Sequence, residues 1–313
     1  MRVTANGREY DVPSGTTVAG FIEQRALDPR HVVVEHNGEA LERARYATVT
    51  LDEGDRLELV RAVAGGSGPY PGDDPASERT TLSSAAGASP GSLGEWRRRR
   101  LAAARVYVVT DARAARGDLA DFLEEILDAG VDVVQLREKD AEAGDLLRWA
   151  EVFREAAERH QALFFVNDRA DVALACGADG VHVGQNDLPA PFVRGLVGGD
   201  VLIGLSTHGA EQFAGDTDEA DCLSAGPVYE TPTKPGRPAA GLGLIRFAAE
   251  REASGEEPRP WFAIGGIDVE TLPAVVAAGA TRVVVVRAVT EADDPTAAVE
   301  SLRKGLTSGS TEG

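Results

Sequence analysis

From residue 106 to about residue 306 the chain repeats one unit: a short run of Val, Ile, Leu or Phe, then a longer stretch with apolar residues at helical spacing. Eight such runs occur, at 106–110, 131–136, 163–166, 180–183, 201–205, 222–225, 261–264 and 283–286. They are almost wholly apolar, as parallel strands covered on both faces are. Helical patterns lie between most of them, at 119–129, 145–159, 170–176, 242–251 and 269–278. Parallel strands need long crossovers, and eight strand–helix units in about 200 residues match a compact, closed (β/α)8 TIM barrel. An open doubly wound sheet is the weaker alternative, because no Gly-rich dinucleotide turn follows the first run. The expected class is α/β, with the barrel over residues 101–307 and a disordered tail at 308–313.

Residues 1–66 follow a different pattern. Asn6-Gly7 sits between two short alternating runs, the signal of a type I′ hairpin. Thr16 or Thr17 can cap a helix that places Val18, Phe21 and Ile22 on one face. Residues 31–35 read as a strand that ends at a second turn signal, Asn37-Gly38, and residues 56–63 alternate as a further strand. Two hairpin signals around one helix predict a small β-grasp, ubiquitin-like domain, ending at Gly65-Gly66. Residues 67–100 are read as a flexible linker. The stretch to 94 is rich in Gly, Ser, Pro and Ala and buries too little to offset its ordering entropy.

In a (β/α)8 barrel the chemistry sits at the C-terminal ends of the strands. The second run ends in QLREKD. Alternation predicts that Gln135, Arg137 and Lys139 project together, a cation pair suited to a diphosphate. The plainer alternative is a solvated strand end in which Glu138 and Asp140 pair the cations. The chain has only three lysines, and Lys139 and Lys234 both fall in these loops, which favours function. Asp168 and Asp187 follow the third and fourth runs and can share a Mg²⁺; alone, Asp168 reads as an N-cap and Asp187 as a turn residue. Ser206 can donate to a phosphate. His208 can act as a general base but reads rather as a structural hydrogen-bonder, and His182, inside an apolar strand, as a satisfied core residue rather than a ligand. The loop after the sixth run holds Thr231, Pro232, Thr233 and Lys234, an anion clamp or a plain surface loop. Gly265-Gly266 lets backbone N–H groups approach a phosphate after the seventh run, beside Val286-Arg287 after the eighth.

Six motifs, QLREKD, FVNDRADVAL, DGVHVGQNDLP, GLSTH, GPVYETPTKPGRP and AIGGI, stand in the order and spacing of thiamine-phosphate synthases, which residues 105–306 resemble. The resemblance implies a Mg²⁺-dependent transferase that joins a pyrimidine diphosphate to a (carboxy)thiazole phosphate and releases pyrophosphate. It implies that Gln135, Leu136, Arg137, Glu138, Lys139, Asn167, Ser206 and Lys234 meet the pyrimidine diphosphate. Arg137, Lys139, Ser206 and Lys234 are then the catalytic set, and Asp168 and Asp187 the metal ligands. Thr231, Pro232, Thr233, Gly265, Gly266, Val286 and Arg287 would form the thiazole-phosphate site. Val286-Arg287 replaces the small pair usual in that family.

The first zone resembles the sulfur-carrier protein of thiazole biosynthesis, through NGREYDVP, DPRHVVVEHNGE and the Glu53-Gly54-Asp55-Arg56 turn before LELVRAVAGG. That implies an adenylating enzyme and a thiazole synthase as partners. Such carriers act through a free C-terminal glycine carboxylate, whereas Gly66 here is followed by the barrel. Either a protease cuts the chain after Gly66, or the domain is a relic or an interaction module.

Composition sets the outer bounds. A net charge of −19 argues against nucleic acid and acidic membranes as partners. Cys176 and Cys222 fit neither a disulfide framework nor a metal pattern. No signal-like or membrane-spanning run is seen, so a soluble, cytoplasmic protein is expected. Two other readings stay open: a thiazole tautomerase on the same barrel, and a carrier or scaffold without catalysis.

Overall fold

The structure, a computed structural model, describes residues 1–5, 8–25, 32–41, 45–61, 93–215, 217–231 and 238–308. It divides into two units, Met1–Leu93 and Gly94–Gly313.

In the first unit, β1 (Arg2–Ala5) pairs antiparallel with β2 (Arg8–Asp11) and parallel with β5 (Arg56–Arg61). β3 (Val32–His36) and β4 (Glu39–Leu41) complete a sheet in the order β2-β1-β5-β3-β4. Helix α1 (Val18–Glu23) is capped by Thr17, whose hydroxyl accepts the Gly20 N–H at 3.1 Å. Val18, Phe21 and Ile22 are fully buried against Val3, Val34 and Leu57. The β-grasp expectation is met. The turn at Asn37-Gly38 takes positive φ at both residues, 55° and 87°, as a type I′ turn requires. Asn6-Gly7 and Gly65-Gly66 lie outside the described residues, as does the expected linker up to residue 92.

The second unit is a closed barrel of eight parallel strands. They are β6 (Val106–Thr110), β7 (Val133–Leu136), β8 (Leu163–Asn167), β9 (Gly180–Val183), β10 (Leu202–Thr207), β11 (Cys222–Ala225), β12 (Trp261–Ile264) and β13 (Val283–Val285). The five sequence-predicted helices appear as α3 (Leu119–Asp128), α4 (Ala143–His160), α5 (Ala170–Cys176), α8 (Gly241–Ala253) and α9 (Leu272–Ala277), with α6 (Ala190–Val197), α7 (Ala210–Phe213) and α10 (Arg287–Thr290) also present. Strand residues point alternately inward and outward. The inward row joins Tyr107, Val133, Phe165, Leu202, Cys222, Phe262 and Val284 in one core. Tyr107 packs against Phe165 and Phe262 with ring centroids 5.7 and 5.6 Å away. The outward row packs under the helices in a second core.

One boundary differs from the expectation. Helix α2 (Leu93–Ala103) occupies residues 93–100, the end of the stretch read as linker. Its WRRRR run has no amphipathic period, so pattern reading passes over it. Its apolar Leu101 joins the inner barrel core. Buried Arg97 bonds the Asp179 carboxylate at 2.8 Å and the Asp200 carbonyl at 3.0 Å. Arg98 bonds Asp221 at 2.8 Å. The helix thus belongs to the barrel's N-terminal end, held by arginines that look merely charged in the sequence. At the other end of the unit, α11 (Pro295–Ser308) includes Ser308, the first residue of the expected tail; residues 309–313 are outside the described residues.

Candidate active site

The site residues gather at the C-terminal ends of the strands, in two groups. The first lies over β7, β8 and β9. Gln135 is inward-facing and buried, with 3% of its surface exposed. Its Oε1 accepts the Tyr107 hydroxyl at 2.7 Å, and its Nε2 donates to Asn167 Oδ1 at 2.8 Å. Strand β7 ends at Leu136, so Arg137 and Lys139 stand in the loop beyond it, not on a continued alternating face. Among the described residues the half-buried Arg137 side chain has no protein partner. Lys139 reaches Asp168 with Nζ 3.4 Å from Oδ2. The pairing of Lys139 with Glu138 or Asp140 is therefore not what forms. The Glu138 carboxylate instead accepts the Ala112 N–H at 3.0 Å, fixing the neighbouring β6 loop. Leu136 turns its side chain outward into the helix-covered core, so only its backbone is on offer at the mouth.

Asp168 has φ 61°, in the left-handed region, and its N–H is held by the His182 carbonyl at 2.8 Å. It does not cap α5, whose N-cap is Arg169. Its carboxyl stands close enough to that of Asp187 for the two charges to repel. Burial, and then the Asp187 charge, push the Asp168 pKa above the ordinary carboxylate range, against the pull of Lys139. Asp187 also accepts the Gly184 N–H at 2.8 Å, so its turn role and its place beside Asp168 coexist. Two carboxylates crowded in this way favour a cation between them. Among the described residues no group of three or more His, Cys, Asp or Glu side chains comes together for a metal.

The second group lines a cavity of about 550 Å³ over β10 to β13. Ser206, Thr231, Gly265, Gly266, Val286 and Arg287 all face it, as do Ser224, His208 and Ile264. Gly265 and Gly266 have φ 107° and 65°. A Cβ on Gly265 would lie 2.5 Å from Pro227 Cα, so only glycine fits this loop. Arg287 lies 3.9 Å from Glu291 and is half exposed. His208 bonds the Gly226 carbonyl at 2.7 Å, in keeping with a structural role. Pro232, Thr233 and Lys234 lie outside the described residues.

Ser206 links the two groups. It is 5% exposed, its hydroxyl bonds His182 Nε2 at 2.9 Å, and its carbonyl accepts Gln185 Nε2 at 2.7 Å. His182 itself faces inward: a Cβ on Gly204 of the next strand would strike its ring at 2.4 Å. Sequence reading left out Tyr107, His182 as a partner of Ser206, and Ser224. The available signal was a polar residue at an inward position of an otherwise apolar strand.

Residues 106–289 match the family model described as "Thiamine monophosphate synthase", and residues 1–66 match the "ThiS family" model. The first match covers more than half of the chain. The chain belongs to the thiamine monophosphate synthase family. The "Thiamine-phosphate synthase" of Mycobacterium tuberculosis (strain ATCC 25177 / H37Ra) is 53% identical over 218 residues, 66% of this chain and 97% of that protein. The protein of the same name from Streptomyces avermitilis is 56% identical over 211 residues, 67% and 96% of the two chains. Among solved structures, "Thiamine phosphate pyrophosphorylase from Pyrococcus furiosus" superposes with a TM-score of 0.59 at 31% identity. That match covers 68% of this chain and 98% of the other. For a thiamine monophosphate synthase family member, the barrel is the transferase part, and the β-grasp unit is the added, ThiS-like part. Among the described residues no helix is long and apolar enough to cross a membrane.

Proposed function

We propose that the barrel joins a pyrimidine diphosphate to a thiazole phosphate, giving thiamine phosphate and pyrophosphate, with the two groups of residues holding the two substrates. The observation that carries this is at the β7–β9 rim. There Arg137, which has no side-chain partner among the described residues, the exposed cation Lys139 and two mutually crowded aspartates stand within one cluster. Gln135, Asn167, Arg137, Lys139 and Ser206 take the diphosphate, with Lys234 from the loop after β11. Mg²⁺ suits Asp168 and Asp187, because it binds through one or two carboxylates and completes its shell with water and phosphate oxygens. When bound it supplies positive charge for the diphosphate oxygens. The cavity over β10–β13 takes the thiazole phosphate, its phosphate against the Gly265-Gly266 backbone and Arg287, its ring toward Ser224 and Ile264.

The bond between the exocyclic carbon of the pyrimidine and the diphosphate oxygen breaks, and the electron pair leaves with pyrophosphate. The aminopyrimidine ring delocalises the resulting positive charge. The thiazole nitrogen then forms the new C–N bond at that carbon. Arg137 and Lys139 stabilise charge on the leaving group; no protein nucleophile is needed. Incubating the protein with both substrates and Mg²⁺ is expected to release pyrophosphate and thiamine phosphate in equal amounts. A tautomerase would convert thiazole phosphate alone and release none. Arg137→Ala is expected to lower turnover on the order of 10²-fold.

We infer a sulfur-carrier role for the β-grasp unit, served by an adenylating enzyme and a thiazole synthase after cleavage behind Gly66. Mass spectrometry of protein from its native host tests it. A fragment ending at Gly66, with sulfur in place of one oxygen, supports the role; intact chain alone refutes it.

A further inference from the structure

We propose that Tyr107, at the heart of the barrel, is a positioning residue that fixes which end of the Asn167 amide faces the diphosphate. The proposal rests on the assignment of Gln135 and Asn167 to that substrate.

Tyr107, Gln135 and Asn167 form a short relay from the barrel centre to its mouth. The Tyr107 hydroxyl donates to Gln135 Oε1 at 2.7 Å, and Gln135 Nε2 donates to Asn167 Oδ1 at 2.8 Å. Each amide has a donor end and an acceptor end, so the relay has two self-consistent polarities. In the one described, Asn167 is left with Nδ2 and its N–H donors for the mouth. In the reverse one, Asn167 donates to Gln135, Gln135 donates to the tyrosine oxygen, and Asn167 turns Oδ1 outward.

Tyr107 decides between them. It is 1% exposed. In the reverse relay its hydroxyl hydrogen gives up Gln135 Oε1, the acceptor it holds at 2.7 Å, and a buried donor that loses its acceptor is costly. In the described relay that hydrogen is used, and only oxygen lone pairs remain. Burial keeps the phenol protonated by pushing its pKa well above the ordinary tyrosine value. The hydroxyl is therefore a permanent donor, and it forces Gln135 to present its acceptor inward. The chosen polarity suits the ligand: amide N–H groups attract phosphate oxygens, whereas an outward Oδ1 repels them. The tyrosine ring itself is held by Phe165 and Phe262, so phenylalanine at 107 keeps the packing and removes only the donor.

The test uses the full chain, with steady-state kinetics in each substrate and thermal melting. Tyr107→Phe is expected to raise KM for the pyrimidine diphosphate roughly 10-fold, as one mispolarised hydrogen bond does. KM for the thiazole phosphate is expected to stay unchanged, and the melting temperature to fall by no more than the loss of one buried hydrogen bond accounts for. Gln135→Glu, which offers two acceptors and forces Asn167 to turn Oδ1 outward, is expected to be worse than Tyr107→Phe. Asn167→Ala separates the proposal from the assignment beneath it. If Asn167→Ala weakens the diphosphate substrate and Tyr107→Phe does not, the relay is wrong and the assignment stands. If Asn167→Ala leaves that substrate's KM unchanged, the assignment fails and takes the relay with it. If Tyr107→Phe shifts both KM values alike, or lowers the melting temperature while leaving both KM values unmoved, the tyrosine is merely structural and the proposal is overturned.

Discussion

At the N-terminal end of the barrel, Asp132, Asp179 and Asp221 each stand one residue before a strand and accept the N–H of a residue in the preceding strand. Asp132 takes Val106 at 3.0 Å, Asp179 takes Phe164 at 2.9 Å, and Asp221 takes Ile203 at 2.9 Å. Each also meets an arginine: Arg303 at 3.2 Å, Arg97 at 2.8 Å, and both Arg98 and Arg194 at 2.8 and 2.6 Å. At the C-terminal end, Asp168 and Asp187 face one another, Lys139 touches one of them from an exposed position, and Arg137 has no partner among the described residues. The same residue types are used in opposite ways. At one end charge is consumed by the fold; at the other it is only partly neutralised, which costs stability and leaves electrostatic work for a ligand to complete.

The largest effect is expected where the fold consumes charge. Asp179→Ala removes the partner of Arg97, a guanidinium only 6% exposed, along with the acceptor for Phe164. Leaving a buried charge unpaired costs about 3–5 kcal/mol. Urea or thermal melts are expected to show that loss, with turnover per folded molecule unchanged. A variant that melts normally but turns over slowly would erase the distinction between the two ends.

Asp168 is the matching position at the other end. At φ 61° an alanine would add backbone strain, whereas Asn tolerates the left-handed region and removes only the charge. Asp168→Asn is expected to lower turnover on the order of 10²-fold. Its melting temperature should equal or exceed that of the parent, because a like-charge contact with Asp187 is relieved. A melting temperature lowered as far as that of Asp179→Ala would place Asp168 among the structural aspartates.

A smaller effect is expected for a carboxylate used structurally in the β-grasp unit. Burial alone would raise the Asp55 pKa. Hydrogen bonds from Asn37, the Asp52 N–H and His36 outweigh it and hold the pKa below its ordinary value. A lowered folded-state pKa contributes stability that is complete above the unfolded value, near 3.9, and is lost as pH falls through the folded value. The β-grasp unit is therefore expected to lose stability on acidification below about pH 4. Asp55→Asn should be less stable than the parent at neutral pH and match it in acid. Parallel pH curves for the two proteins would remove Asp55 from that account.

The two ends also differ in how far the sequence discloses them. The rim was legible because each of its parts is local: QLREKD, the aspartates after β8 and β9, and Gly265-Gly266 stand next to the strands that carry them. What was not legible there came from three-dimensional closure. That the β7 strand stops at Leu136, that Glu138 turns away to Ala112, and that Tyr107 reaches Gln135 depend on strand ends and on barrel curvature, not on spacing. The opposite end was almost wholly hidden. Arg97 meets Asp179 across 82 positions and Arg98 meets Asp221 across 123. Neither pairing leaves a periodic trace, so α2 read as part of a linker.

The smallest expected effect concerns Ser224, which lies between these two patterns. It is an inward residue of β11, 3% exposed, on the wall of the 550 Å³ cavity, and its hydroxyl has no hydrogen-bond partner among the described residues. If the fold alone explained it, alanine would be the better residue, because an unmet buried hydroxyl costs about 1 kcal/mol or more. Ser224→Ala is therefore expected to leave stability unchanged or slightly raised. If the hydroxyl serves the thiazole substrate, the same variant should raise KM for that substrate several-fold, by about the worth of one hydrogen bond. KM for the pyrimidine diphosphate should not move. A variant that gains stability and keeps both KM values would make Ser224 a tolerated defect of the core, and would draw the boundary of the working rim one layer closer to the solvent.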